Sequence, residues 1–144
     1  MKHYMASAPP ASSYGFHCVL QPQSFAQGVA LVTEALKTEG FGILTEIDMR
    51  ATMKAKLDIE GRPSRIPGAR NPPLSHCALE AEPEVGLLPC NVVVREDDDC
   101  RLVVGFMDPI AVLQMTSNPE IARVAHQVRE RLERVQSALG GSSC

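Results

Sequence analysis

The sequence contains no tryptophan, and only 4% of its 144 residues are aromatic. Proteins that bind single-stranded nucleic acids stack the bases on exposed aromatic side chains, so this composition argues against that function. The formal net charge of −3 at pH 7 argues in the same direction, because affinity for nucleic acids depends on clustered positive charge. We therefore expect no nucleic-acid partner.

Long apolar runs and targeting signals are also missing. No uninterrupted hydrophobic stretch approaches the ~20 residues of a membrane-spanning helix. The first residues, MKHYMASAPPASS, have no apolar segment of the kind found in a secretory signal. The five cysteines form no C-x-x-C pair and are odd in number, which favours reduced thiols over a disulfide framework. These features predict a cytoplasmic protein without a membrane association.

Two common catalytic signatures are absent as well. The sequence has no G-x-S-x-G nucleophile elbow, and no glycine-rich loop is followed by the Lys-Ser/Thr pair of a phosphate-binding loop. A small hydrolase or isomerase stays open as an alternative, but no residues can be named for it. We favour a protein that is not an enzyme, and the sequence specifies no cofactor.

The composition that is present, 44% hydrophobic and 22% charged, is ordinary for a globular domain. A chain of this length fits one domain with a sizeable core. Small, polar and proline- or glycine-containing residues occupy both ends. We expect a flexible arm over 1–13, a single domain over 14–139 and a flexible tail over 140–144.

In some segments apolar residues recur at every second position, as in a strand, and in others they recur every three or four positions, as in a helix. The pattern predicts strands over 14–20, 41–47, 65–69, 88–96 and 100–106. It predicts a helix that begins after Ser24 and ends at Gly40, and a short helix over 49–57 that Asp48 caps. The segment 119–139 has a helical spacing of apolar residues with Arg and Glu on the opposite face.

One local device occurs three times, as Asn71-Pro72, Asp108-Pro109 and Asn118-Pro119. In each pair the Asn or Asp side-chain oxygen can cap the helix, and the proline ring fixes φ at the first helical position. The pairs predict helices near 72–81, 109–115 and 119–139. The resulting order, β-α-β-(α)-meander-α, predicts an α+β fold with a mainly antiparallel sheet and helices on one face.

Several short motifs appear in a characteristic order along this framework. They are Gly40-Phe41-Gly42-Ile43, Ile47-Asp48, Gly68-Ala69-Arg70-Asn71-Pro72, Ala78-Leu79, Gly86-Leu87-Leu88-Pro89-Cys90 and Asp108-Pro109. In this order the chain resembles the bacterial domain of unknown function 302 family, from about residue 13 to 139. The resemblance implies an α+β fold similar to that of the TATA-binding protein, usually assembled as a homodimer. It implies no activity.

Three residues could carry thiol or metal chemistry. Cys90 stands at the start of a predicted strand, and His76 and Cys77 are neighbours on the helix after Asn71. Imidazole and thiolate ligands suit zinc or copper(I), although the spacing is not that of a zinc finger. In the alternative interpretation, Cys90 packs as a small apolar side chain and His76 contacts Glu80 one turn further on.

Positive charges are concentrated between residues 50 and 70, where Arg65 and Arg70 are candidate anion-binding residues. Acidic residues follow at 80–84 and 96–99. Such a surface could bind a small anion, dock against a second copy of the chain or simply be solvated.

The sequence thus leads to two functional hypotheses. The first is a cytoplasmic ligand-binding or interaction module that forms a homodimer through its sheet or terminal helix, with a ligand near 71–77 and Cys90. The second is a thiol-dependent protein that binds a soft metal or handles sulfur species through Cys90.

Overall fold

A computed structural model of the chain describes residues 14–87 and 91–140. The predicted arm over 1–13, Cys90 and nearly all of the predicted tail lie outside the described residues. Cys144 lies outside them too.

Within these described residues the sheet has five strands, and each pairing between them is antiparallel. The strands are β1 Gly15–Val19, β2 Gly42–Asp48, β3 Ser64–Arg70, β4 Val92–Glu96 and β5 Leu102–Met107. Their spatial order is β1-β5-β4-β3-β2, which leaves β1 and β2 at the edges. The predicted α+β fold with an antiparallel sheet is therefore confirmed.

The helices begin where the sequence predicted. They are α1 Phe25–Thr38, α2 Met49–Leu57, α3 Pro72–Ala81, α4 Pro109–Leu113 and α5 Pro119–Ala138, with a short 3-10 helix over Pro83–Leu87. At the start of every α-helix the predicted cap accepts a hydrogen bond from the backbone of the first turn: Ser24, Asp48, Asn71, Asp108 and Asn118. Local capping chemistry determines these starts because it needs no distant partner.

The main core lies between the sheet and the two helices α1 and α5. Cys18, Val104 and Val94 form one row across β1, β5 and β4, and all three are buried. The buried residues of this core are Cys18, Leu20, Val32, Leu36, Phe41, Ala69, Val92, Val94, Leu102, Val104, Phe106, Leu132, Val135 and Leu139. We call this group the sheet core.

A second apolar group, the helical cluster, joins α3, α4 and α5. Ala78, Ile121 and Val124 are buried in it, and partly buried side chains such as Leu74 pack around them. Val128 packs against both groups. The C-terminal helix therefore holds the two regions together along one face.

Strand β2 departs from the regular alternation that the sequence predicted. Its register against β3 shifts between Ile43 and Thr45, and Leu44 is 69% exposed. A bulge adds one residue to one strand and turns the following side chains, which explains why the apolar pattern does not map onto one buried face. The strand predicted over 88–96 begins in the described chain with an isolated bridge between Gly68 and Asn91.

Candidate functional site

Three neighbouring strands meet at one edge of the sheet. Arg70 is the last residue of β3 and Met107 the last of β5, while β4 begins between them at Val92. Strands β3 and β5 both run antiparallel to β4, so they run parallel to each other and end on the same side. The end of two strands and the start of a third therefore surround one point.

Each of the two strand ends leads directly into a proline-started helix. Asn71 follows Arg70 and caps α3 by accepting a hydrogen bond from the Leu74 N–H at 3.3 Å. Asp108 follows Met107 and caps α4 in the same way, through the Ile110 N–H at 2.9 Å. The two helices diverge from the sheet edge, and α5 closes the space between them.

Two small, partly open cavities lie in this space, with volumes of about 40 and 60 Å³. The first is lined by Phe41, Ala69, Arg70, Asn71, Ser75, Asn91, Val92, Met107, Val128 and Leu132. The second is lined by Arg70, Leu74, Ser75, Ala78, Leu79, Val85, Gly86, Met107, Pro109, Leu113, Val124 and Val128. Arg70, Ser75, Met107 and Val128 line both. We call the two cavities together the Arg70 cleft.

The two candidate anion-binding arginines stand at opposite ends of β3 in different surroundings. Arg65 forms ion pairs with Glu46 at 3.2 Å and Asp48 at 3.4 Å, so two carboxylates already balance its charge. Arg70 is half-buried and makes no ion pair or side-chain hydrogen bond with any described residue. The structure thus places Arg70, and not Arg65, in the cleft.

Polar groups behind the cleft are bound to one another. The Asn71 amide and Arg131 both donate to the Glu39 carbonyl at the end of α1, each at 3.2 Å. Arg129 donates to the Asp108 carboxylate at 2.7 Å, and its guanidinium lies 5.0 Å from the ring centre of Phe16. These contacts hold the starts of α3 and α4 in place at the rim. The charges of Arg129 and Asp108 balance each other.

Of the three predicted thiol and metal candidates, the described chain contains His76 and Cys77. His76 and Cys77 are exposed on α3, and His76 lies 3.7 Å from Glu80, the surface contact considered from the sequence. Within 14–87 and 91–140 no group of three or more His, Cys, Asp or Glu residues could hold a metal ion. Cys90 lies outside the described residues, so thiol chemistry at Cys90 stays a prediction.

Another described thiol, Cys100, has a charged neighbour. Its Sγ lies 3.7 Å from Nη1 of Arg62, and this contact, followed by the one with Glu96, raises the pKa of Arg62. Cys100 occupies the left-handed region at φ 63° in the turn between β4 and β5, where glycine is usually found. Sequence reasoning did not select Cys100, because Arg62 is distant from it in the chain.

Sequence reasoning missed Asn91 and Met107, whereas Ser75 lies in the segment 71–77 that it predicted to be near a ligand. A signal for the site was nonetheless present: Arg70 and Met107 each directly precede an Asn-Pro or Asp-Pro pair. A residue in front of such a cap, at the end of a predicted strand, stands at a sheet edge where helices diverge. Two such residues on parallel strands predict a shared cleft.

Together, the antiparallel five-stranded sheet, the covering helices and the edge cleft define a small α+β protein. The chain matches "Domain of unknown function DUF302" over residues 17–139 and belongs to that family. It resembles the crystal structure of "uncharacterized conserved protein DUF302 from Bacillus stearothermophilus", with a TM-score of 0.77 and 22% identity, over 90% of this chain and 98% of that one. At this identity the likeness shows the fold. The search of curated proteins gave no significant match.

Proposed function

We propose that the chain is a non-enzymatic binding module that takes a small ligand in the Arg70 cleft. The observation that carries this proposal is the position of Arg70, a half-buried cation without a described partner in a mostly apolar cavity lining. Small-molecule sites typically combine apolar walls with a few convergent polar groups, and they often lie where strands end.

The residue types in the lining favour binding over catalysis. Arg70 supplies a permanent charge, and Ser75 and Asn91 supply neutral hydrogen-bonding side chains. The remaining contacts come mainly from aliphatic side chains of α3, α4 and α5. Such a set orients a ligand through one charge and two polar contacts, while burial of its apolar part contributes the rest of the affinity.

Screening by protein-observed NMR tests this proposal. A mixed library of small acids, amines and neutral compounds should shift the amide signals of Ser75, Ala78, Met107 and Val128. Ser75→Leu adds volume inside the cleft and should abolish the shifts, whereas His76→Leu places the same side chain on the exposed side of α3 and should leave them unchanged. Binding that survives Ser75→Leu, or no shift with any compound class, would contradict a ligand site in the cleft.

We further propose that the protein works in the cytoplasm. Cys77 and Cys100 are exposed free thiols. Exposed free thiols suit a reducing compartment. None of the described helices is both long and apolar enough to cross a membrane. Fractionation of cells that express the tagged chain tests the location, and recovery outside the cytoplasm would contradict it.

We also propose that the chain forms a homodimer through the β2 side of its sheet. The apolar side chains of α5 are buried inside the chain, including Ile121, Leu132 and Val135. By contrast, α2 buries none of its residues. Exposed large apolar side chains occur in β2, at the end of α2 and just after it: Leu44 (69%), Ile47 (46%), Leu57 (61%) and Ile59 (45%). We call these four the β2–α2 patch.

Light scattering coupled to size exclusion tests the dimer. A mass near twice 15.6 kDa is expected for the unchanged chain. Leu44→Lys places a charge in the β2–α2 patch and should shift the mass toward the monomer. Met115→Lys changes another exposed apolar residue, outside the patch, and should leave the mass unchanged. A monomer at all concentrations, or a dimer that is insensitive to Leu44→Lys, contradicts this interface.

A further inference from the structure

We infer that the ligand of the Arg70 cleft is a small monocarboxylic acid with a compact apolar body, whose carboxylate pairs with Arg70. This inference rests on the proposed binding function and names the chemical class of the ligand. Three properties of the cleft lead to it: the number of cations it offers, the state of the helix start beside it and the size of its apolar part.

The cleft offers one charged group to a ligand. Arg70 is the charged residue among the described residues that line the two cavities, and no described carboxylate pairs with it. A guanidinium presents parallel N–H donors that match the two oxygens of a carboxylate. Ser75 and Asn91 line the first cavity beside Arg70 and can donate further hydrogen bonds to the same group.

The start of α3 argues against a phosphate in this position. Phosphate sites at helix starts use unpaired backbone N–H groups of the first turn. Here Pro72 and Pro73 have no N–H, the Leu74 N–H donates to the Asn71 side chain, and the Ser75 N–H donates to the Asn71 carbonyl at 2.8 Å. No N–H of this turn is therefore left for an anion.

A ligand with two negative charges would also find the rest of the rim unfavourable. Asp108 follows Met107 directly, and its carboxylate is already balanced by Arg129 at 2.7 Å. Arg131 donates to a backbone carbonyl of Glu39 behind the cleft. A second negative charge would thus meet no additional unpaired cation among the described rim residues, so a monoanion fits the cleft better than a dianion.

The apolar part of the cleft sets the size of the ligand body. Cavities of about 40 and 60 Å³ correspond to several waters each, because one water needs roughly 10–15 Å³ in the same measure. Together they suit a ligand with about eight non-hydrogen atoms. The second cavity is lined mainly by Leu, Val and Ala side chains, which favour a hydrocarbon chain or ring over a sugar.

A matched set of six-carbon probes tests the inference on the full chain. Hexanoate supplies the carboxylate, hexanamide is its neutral counterpart, and hexyl phosphate carries the larger anion; acetate lacks the apolar body. We expect hexanoate to give the lowest dissociation constant in NMR titrations that follow the Ser75 and Met107 amides. Hexanamide, hexyl phosphate and acetate should each bind at least about tenfold more weakly.

Variants of Arg70 provide the second part of this binding experiment. Arg70→Gln should weaken hexanoate binding about ten- to hundredfold and leave hexanamide unaffected, because it removes a charge-assisted pair. Arg70→Lys keeps the charge but loses the two-pronged geometry, so a smaller loss is expected, and it replaces Arg70→Gln if that variant does not fold. Arg95→Gln changes a half-buried arginine of β4 that lines neither cavity and should have no effect.

The possible outcomes distinguish a failure of this inference from a failure of the proposed binding function. Hexanamide or hexyl phosphate binding in the cleft as tightly as hexanoate, or Arg70→Gln leaving the affinity for hexanoate unchanged, would overturn the monocarboxylate assignment while a ligand site remained. If none of the four probes and no library compound shifts the cleft amides, the proposed function fails as well.

Discussion

The sheet core and the helical cluster use the same C-terminal helix in different ways. Toward the sheet, α5 buries Leu132 and Val135 in a group of fourteen buried residues that come mainly from four strands and two helices. Toward α3 and α4, it buries Ile121 and Val124 with Ala78 alone as a third buried member. The sheet core borders the smaller cavity of the Arg70 cleft through Phe41, Ala69, Val92 and Leu132, whereas the helical cluster surrounds the larger one.

The difference shows that the candidate site lies where the two regions meet, with its larger cavity in the helical cluster, which has fewer buried residues. A filled interior maximises the apolar area that is removed from water. An interior with space left in it gives up part of that stabilisation, and the space can hold a ligand. Variants that act in one region or the other can therefore break or sharpen this contrast.

The largest effect is expected from truncation of Leu36, which is 0% exposed in the sheet core. Leu36→Ala should lower the free energy of unfolding by about 2–5 kcal/mol. Leu74→Ala makes the same chemical change in the half-buried part of the helical cluster and should cost clearly less. Urea unfolding of both variants measures the difference. An equal cost would mean that the two regions are packed alike and would remove the contrast.

The next effect concerns Asp97, a 2% exposed residue in the turn between β4 and β5. Burial by itself raises the pKa of Asp97, but hydrogen bonds from the Arg101 backbone and guanidinium and from the Asp99 N–H outweigh it, so the net pKa is lowered. Asp97→Asn should therefore destabilise the chain at pH 7, by about 1–3 kcal/mol.

The lowered pKa of Asp97 also predicts how the effect of Asp97→Asn on stability changes with pH. Because the pKa of Asp97 is lower in the folded chain, its stabilisation is complete above the unfolded value of about 3.9 and is lost as the pH falls through the folded value. The difference between Asp97→Asn and the unchanged chain should shrink as the pH falls below about 4. Asp99→Asn alters an exposed carboxylate of the same turn and should show little change; a constant difference across the pH range would refute the assignment.

A smaller effect is expected at Asn71, which links the two regions. Its side chain caps α3 and donates to the Glu39 carbonyl of α1 at 3.2 Å. Asn71→Ala should cost about 1–2 kcal/mol because it removes both contacts. Asn71→Asp keeps the capping oxygen but cannot donate to Glu39, so its cost relative to Asn71→Ala measures the cap. If Asn71→Ala leaves thermal unfolding unchanged, the link between the regions is not formed by this side chain.

The smallest effect on stability is expected from alkylation of the exposed thiols. Cys77 and Cys100 should react in the native state, while Cys18, buried in the sheet core, should react only when the chain opens. Peptide mapping by mass spectrometry follows each site. Rapid labelling of Cys18 would show that the sheet core is less closed than its burial indicates.

The sequence allowed the helix starts to be predicted almost to the residue, because a cap such as Asn118 acts on the first turn of its own helix. The burial of Cys18 in β1 agrees with the apolar alternation that predicted this strand. The site was less accessible to such reasoning. Arg70 was selected for its charge, but its surroundings depend on Met107 and Val128, which only the sheet order brings near.

The same distinction explains why His76, Cys77 and Arg65 do not line the Arg70 cleft. His76 and Cys77 attract attention by residue type, yet the direction of α3 turns them to solvent, and that direction is determined by the packing of Ala78 against α5. Arg65 and Arg70 are similar in sequence terms, but only Arg65 faces the carboxylates of β2. Pairing between strands, and not local pattern, decides which charge is left for a ligand.

The prolines at the starts of α3 and α4 have a consequence for the rate and entropy of binding. Pro72, Pro73 and Pro109 hold the rim backbone at a fixed φ before any ligand arrives. A rim that is already in its bound shape loses little conformational freedom on association, so the cleft is preorganised. Association should then proceed in one step, with little movement of the backbone between the empty and the occupied states.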